Sequence, residues 1–214
     1  MSALIKICGI SHMAALGAAV EGEADLVGFV FYPPSPRYVS PGRAAALGRE
    51  TPAEMRRVGV FVDPDNGMLA QVLDRAPLDI IQLHGAETPE RVAEIKARFG
   101  LPVIKALAVA SSADVDRAHA HTQTADWLLF DARPPSAPGA LPGGNALSFD
   151  WSLLAGRAWA VPHLISGGLD AENVGEALAS TGARGADVSS GVERSPGDKD
   201  PDKIAAFLKA ARGG

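Results

Sequence analysis

The sequence predicts an α/β protein folded as a closed (β/α)8 TIM barrel, and three observations carry that expectation. Apolar runs rich in Val and Ile recur eight times along the 214 residues, alternating with stretches of helical spacing. Strands separated by helices pair in parallel, because a hairpin cannot be closed across a helix. The order begins with a strand and ends with a helix, and the first strand-to-helix turn, CGISHM, has one glycine only. An open doubly wound sheet announces itself there with a glycine-rich turn, so the closed barrel is preferred. No composition shift marks a boundary, and one domain over residues 1–214 is expected.

The first strand is LIKIC (4–8), where alternation places Lys6 and Cys8 on one face and Ile5 and Ile7 on the other. Met13 to Val20 is Ala-rich and helical, with Ser11 the expected N-cap. LVGFVF (26–31) is the second strand. The helix from Pro41 to Arg49 opens with Ser40 at the cap and proline at the first helical position. RVGVFV (57–62) and DIIQLH (79–84) are the third and fourth strands. Thr88 caps a helix that aligns Val92, Ile95 and Phe99 on one face and stops at Gly100. VIKALA (103–108) and WLLFD (127–131) are the fifth and sixth strands. The irregular stretch 132–148 is too long for a plain connector and reads as a functional loop; FDWSLL is the sole candidate for the helix after it. HLIS (163–166) and ADVSS (186–190) complete the strands, and Pro201 to Ala211 forms the last helix through Ile204, Phe207 and Leu208.

Composition excludes several classes. A net charge of −5 with no Lys/Arg run argues against a nucleic-acid partner, which needs concentrated positive charge. No apolar stretch approaches the roughly 20 residues that span a bilayer. The N-terminus lacks the charged and apolar regions of a signal peptide, so a cytoplasmic location is expected. One cysteine can form neither an internal disulfide nor a Cys-rich zinc site.

In such a barrel the site lies at the C-terminal ends of the strands. Cys8 ends the first strand at the mouth, beside inward-facing Lys6, whose ammonium is expected to favour the thiolate and to pair with Asp187 on strand eight. Asp131 ends the sixth strand on the same inward face, so an acid and a base oppose each other across the mouth. ISGGL (165–169) and SSGVE (189–193) end strands seven and eight. They offer Gly167, Gly168, Ser189, Ser190 and Gly191 as a phosphate cradle of backbone amides and hydroxyls. Arg37, in the proline-stiffened YPPSPRYVSP, is the candidate guanidinium at the mouth, and His84 is the one histidine placed to reach a ligand. The remaining histidines show no ligand spacing, and no metal or other cofactor is expected.

KICGI, GFVFYPPSPRYVSP, VGVFVD, QLHG, FDW, SGGL and DVSSGVE followed by SPGDKD occur in an order that resembles the phosphoribosylanthranilate isomerases of tryptophan biosynthesis. The resemblance runs nearly end to end and implies an Amadori rearrangement of N-(5-phosphoribosyl)anthranilate. It implies Asp131 as the general acid, which must hold a proton to act, and Cys8 as the general base. It further implies that Arg37 holds the anthranilate carboxylate and that backbone around Gly167, Gly168, Ser189, Ser190 and Gly191 holds the phosphate. It implies a phosphorylated small molecule as the partner and a monomer or homodimer as the assembly. One departure stands out: Gly143-Gly144-Asn145-Ala146 replaces the family's Gly-Gly-(Ser/Thr)-Gly, which restricts the backbone at Ala146. The rivals are another sugar-phosphate barrel enzyme, a non-catalytic phosphate binder, and an isomerase with a second substrate in histidine synthesis. The first strand separates them, because binding alone needs neither Cys8 nor Asp131.

Overall fold

The computed structural model describes residues 3–135 and 141–213. Eight parallel strands close into a barrel: β1 (Leu4–Cys8), β2 (Leu26–Val30), β3 (Arg56–Phe61), β4 (Ile80–Leu83), β5 (Val103–Val109), β6 (Trp127–Ala132), β7 (His163–Ile165) and β8 (Gly185–Val188). The ring closes where Lys6 of β1 pairs with Asp187 of β8. Helices α1 (Met13–Glu21), α2 (Pro41–Glu50), α3 (Asn66–Leu73), α4 (Pro89–Phe99), α5 (Ser112–Arg117), α6 (Val174–Thr181) and α7 (Pro201–Ala211) follow the strands. Among the described residues no helix is long and apolar enough to cross a membrane.

Two apolar cores follow from the alternation along each strand. Ile5, Ile7, Val27, Phe29, Phe61, Leu83 and Phe130 face outward and pack under the helices. Cys8, Val58, Val60, Ile80, Ile104, Ala106, Leu129 and Leu164 fill the barrel interior. Lys6, Gln82 and Asp187 are buried too. Gln82 lies in register with Val60 and Ile104, both interior residues, so it points inward.

Three details depart from the sequence reading. The N-cap of α1 is His12, not Ser11; its ring Nδ1 accepts from the Ala15 N–H at 3.3 Å, a bond that a group one residue earlier does not make. Among the described residues between β6 and β7 there is no α-helix, only a 3-10 turn (Trp151–Leu153). Its run is cut short by Gly156 in the left-handed region, and the fully buried Leu154 fills the gap in the helical layer. After β8 the chain makes an unexpected antiparallel hairpin, β9 (Glu193–Ser195) and β10 (Asp198–Lys199), over the barrel's mouth loops.

Candidate active site

One pocket opens at the C-terminal mouth, and Cys8, Arg37, His84, Asp131, Gly167, Gly168, Ser189, Ser190 and Gly191 all border it. The sequence brought these residues together only through the barrel's topology, since they come from six different strand ends.

Cys8 is buried, and Lys6 below it forms a 2.9 Å ion pair with Asp187, both side chains sealed from solvent. Space for this group comes from Gly28 of β2, where a Cβ would lie 3.0 Å from the Cys8 Sγ and 3.2 Å from the Lys6 Nζ. The expected thiolate preference is not what the resting site provides. Burial pushes the thiol up, and the pull of Lys6 is partly cancelled because Asp187 pushes it up as well. The ammonium is paired with its carboxylate: burial lowers Lys6, but Asp187 and Cys8 together outweigh burial and raise it.

Arg37 is buried, unlike a solvated loop arginine. Its Nε and Nη2 donate to the two carboxylate oxygens of Glu193 at 2.8 and 2.7 Å, a bidentate pair, and Nη2 also donates to the Gly144 carbonyl at 3.1 Å. The fully buried Lys199 donates to the same Glu193 at 2.6 Å and to the Ser189 carbonyl at 3.0 Å. Glu193 thus joins two cations, and they outweigh burial to hold its carboxyl below the usual range. Neither Glu193 nor Lys199 was singled out from the sequence. Their signal was SSGVE and SPGDKD, but nothing in those strings says that the hairpin folds Lys199 back onto Glu193.

Asp131 closes β6 with Oδ1 accepting from the Ala132 N–H at 2.9 Å. Its Oδ2 lies 3.2 Å from His84 Nε2, and His84 Nδ1 lies 2.9 Å from the Gln82 amide nitrogen. Gly143 covers this pair so closely that a Cβ there would sit 2.7 Å from Asp131 Oδ2 and 2.8 Å from His84 Nε2. Behind His84, Lys105 donates to the Gly85 carbonyl at 2.7 Å and to buried Glu87 at 2.6 Å, while Glu87 accepts from the Asp63 and Gly85 N–H groups. This network fixes the loop that carries the imidazole.

The two loops expected to cradle an anion are pinned together. Gly167 and Gly168 adopt φ of +88° and +64°, turning consecutive amides to one side. Gly191 packs against the Leu169 carbonyl so tightly that no side chain fits. Ser189 spends its hydroxyl internally, donating to the Cys8 carbonyl at 3.3 Å and accepting from Lys199 at 3.2 Å. The hydroxyl that the sequence reading offered as a donor is therefore engaged within the protein. Leu141 and Pro142, to which the sequence assigned nothing, also line the pocket; residues 136–140 of that loop lie outside the described residues. Ala146 adopts φ of +55°, the left-handed conformation that the family's glycine would take without strain.

Fold and mouth together define a (β/α)8 barrel whose one C-terminal pocket gathers a buried thiol, a carboxylate and two glycine-rich loops. The model of the N-(5'phosphoribosyl)anthranilate (PRA) isomerase family matches residues 5–210. The chain is 57% identical over 211 residues to N-(5'-phosphoribosyl)anthranilate isomerase of Rhodospirillum centenum, covering 99% of each chain. It superposes on phosphoribosyl anthranilate isomerase from Thermotoga maritima with a TM-score of 0.89 at 39% identity, each chain fully covered. A phosphoribosyl anthranilate isomerase in complex with reduced 1-(o-carboxyphenylamino)-1-deoxyribulose 5-phosphate matches with a TM-score of 0.86 at 38% identity, again over both whole chains. The chain belongs to the N-(5'-phosphoribosyl)anthranilate isomerase family.

Proposed function

We propose that this isomerase of tryptophan biosynthesis converts N-(5'-phosphoribosyl)anthranilate to 1-(o-carboxyphenylamino)-1-deoxyribulose 5-phosphate with Asp131 as general acid and Cys8 as general base. The single observation behind the assignment is that both groups end inward-facing strand positions, three strands apart around the barrel, and border one pocket. Protonated Asp131 gives its proton to the ribose ring oxygen as the C1–O bond breaks, and the nitrogen lone pair forms the C1=N iminium. That cation makes the C2–H acidic. Cys8 takes the C2 proton as thiolate, and the C–H electrons form the C1=C2 bond of the enolamine. Returning a proton to C1 and releasing the one on the C2 hydroxyl gives the ketone, so no redox partner or net proton is required.

Arg37, held by Glu193 through Nε and Nη2 and bordering the pocket, is the partner for the anthranilate carboxylate. Backbone N–H groups around Gly167, Gly168, Ser189, Ser190 and Gly191 receive the phosphate, and His84 borders the sugar end through Asp131. Every group named comes from one chain, so a monomer and a homodimer carry the same site. The test is loss of anthranilate-derivative fluorescence on mixing with freshly generated phosphoribosylanthranilate. Saturable turnover supports the reading; binding of the substrate without any turnover contradicts it.

A further inference from the structure

Gln82 is an amide among aliphatic side chains of the barrel interior, whose other buried polar pair, Lys6 and Asp187, satisfies itself. It is fully buried among the interior positions of Val58, Val60, Ile80, Ile104 and Leu129, and its Oε1 has no hydrogen-bond partner among the described residues. An orphaned buried acceptor costs stability, so a leucine would suit the packing better. What the amide gains is one contact, its Nε2 at 2.9 Å from His84 Nδ1. Rotating the amide would orphan Nε2 in place of Oε1, so one polar atom lacks a partner either way.

The amide nitrogen is a donor only. In this amide orientation an Nδ1 that faces it accepts, which puts the proton of a neutral imidazole on Nε2. That nitrogen lies 3.2 Å from Asp131 Oδ2, so the Nε2–H donates to the carboxylate while the Ala132 N–H donates to Oδ1. The arrangement matches the acid after it has given its proton away. We propose that Gln82 and His84 are positioning residues for the ring-opening step: Gln82 fixes the Nε2–H tautomer, and His84 uses it to stabilise the Asp131 carboxylate between proton donation and recovery. The proposal rests on the reading of Asp131 as general acid.

In the step itself the Asp131 O–H bond breaks, the proton goes to the ring oxygen, and the electron pair stays on the carboxylate, to which the His84 Nε2–H donates a hydrogen bond. No proton leaves His84. Other charged groups are set apart from this exchange. Lys105 and Glu87 pair with each other behind the His84 backbone. Across the mouth Arg37 pairs with Glu193 and Asp187 with Lys6, and Cys8 stands on β1. Gly143 covers the His84–Asp131 contact, leaving no room for a bridging side chain.

The experiment combines turnover kinetics with 15N NMR of protein labelled at histidine, the His84 signals being assigned by their loss in His84→Gln. In the wild type the proton is expected on Nε2. Gln82→Leu keeps the packing and removes the donor; kcat should fall about 10- to 100-fold, with KM within about twofold. Gln82→Glu, which turns the partner into an acceptor, should move a proton onto Nδ1 and lower kcat in the same way. His84→Gln offers an amide donor toward Oδ2 and should retain more activity than His84→Leu. An Nδ1–H tautomer in the wild type, or unchanged kcat in Gln82→Leu, overturns the proposal. The wild-type spectrum decides even if a Gln82 variant does not fold. Should Asp131→Asn keep full activity, the reading of the general acid fails; should Asp131→Asn be inactive while Gln82→Leu is normal, only the present inference fails.

Discussion

Replacing Glu193 by Gln removes the one charge shared by two buried cationic side chains. Arg37, Lys199 and Glu193 have side chains 6%, 0% and 4% exposed, so solvent screens none of them. Their hydrogen bonds to the carboxylate are 2.6 to 2.8 Å long. Breaking a buried ion pair by neutralising one partner costs about 3–5 kcal/mol, because the charge left behind has lost its water without compensation. Burial already lowers Lys199 with Glu193 beside it, so without the carboxylate it can shed its proton, and the charge left uncompensated is chiefly that of Arg37. In a chain of 214 residues each kcal/mol moves Tm by roughly 2–4 °C, giving a fall of roughly 6–20 °C. Circular dichroism melting at neutral pH measures it, and turnover at a permissive temperature should show KM raised more than kcat is lowered, since Arg37 loses its bidentate anchor. The pH dependence has a definite sign. Glu193 is held below its unfolded value in the folded chain, so its contribution is present at neutral pH and lost as pH falls through the folded value. The gap in Tm between wild type and Glu193→Gln should therefore shrink below the ordinary carboxylate range. A variant melting within about 2 °C of wild type with unchanged KM would refute the reasoning, since it falls short of even the smallest of these shifts.

Three further outcomes are expected. Because burial raises the Cys8 thiol and only the thiolate acts as base, the rate of Cys8 alkylation by iodoacetamide should climb with pH to an inflection above that of an ordinary cysteine, and the rising limb of kcat/KM should follow it. Ala146→Gly relieves a left-handed alanine, a strain of about 1 kcal/mol that is partly offset by glycine's entropy; urea unfolding should show a gain of up to about 1 kcal/mol, whereas Ala146→Val should destabilise. Gly28→Ala puts a methyl 3.0 Å from the Cys8 sulfur, which should cost about 1–3 kcal/mol in stability and shift the alkylation profile, because the thiol and the Lys6 ammonium must move apart.

Much of this architecture was legible because its signals are local. Alternation in LIKIC pointed Lys6 and Cys8 inward, and ring closure then made the Lys6–Asp187 pair a consequence of register. The proline–threonine start and glycine stop of α4 are likewise encoded within a dozen residues. What escaped depends on contacts between distant segments. Glu193 meets Arg37 across 156 positions, and nothing in PPSPR shows that its arginine will be buried. The thiol's environment differs from the sequence reading because the pull of Lys6 is only one influence: burial raises the thiol, and the Asp187 that pairs with Lys6 raises it as well. Nothing in DIIQLH shows that the Gln82 amide is buried with its Oε1 unpartnered among the described residues and its Nε2 against His84. The missing helix after β6 was a limit of length, since FDWSLLAG offers too few residues before Gly156 to close more than one turn.

The assignment of acid and base is tested most directly by steady-state turnover of freshly generated phosphoribosylanthranilate, followed by fluorescence, for wild type, Cys8→Ala and Asp131→Asn. Melting curves and binding of the reduced product analogue show in parallel that each variant is folded. With both roles as assigned, the wild type turns over and each variant loses at least about 100-fold in kcat while still binding the analogue. A Cys8→Ala or Asp131→Asn enzyme with near-normal kcat would contradict the assignment and place the proton transfers on other groups.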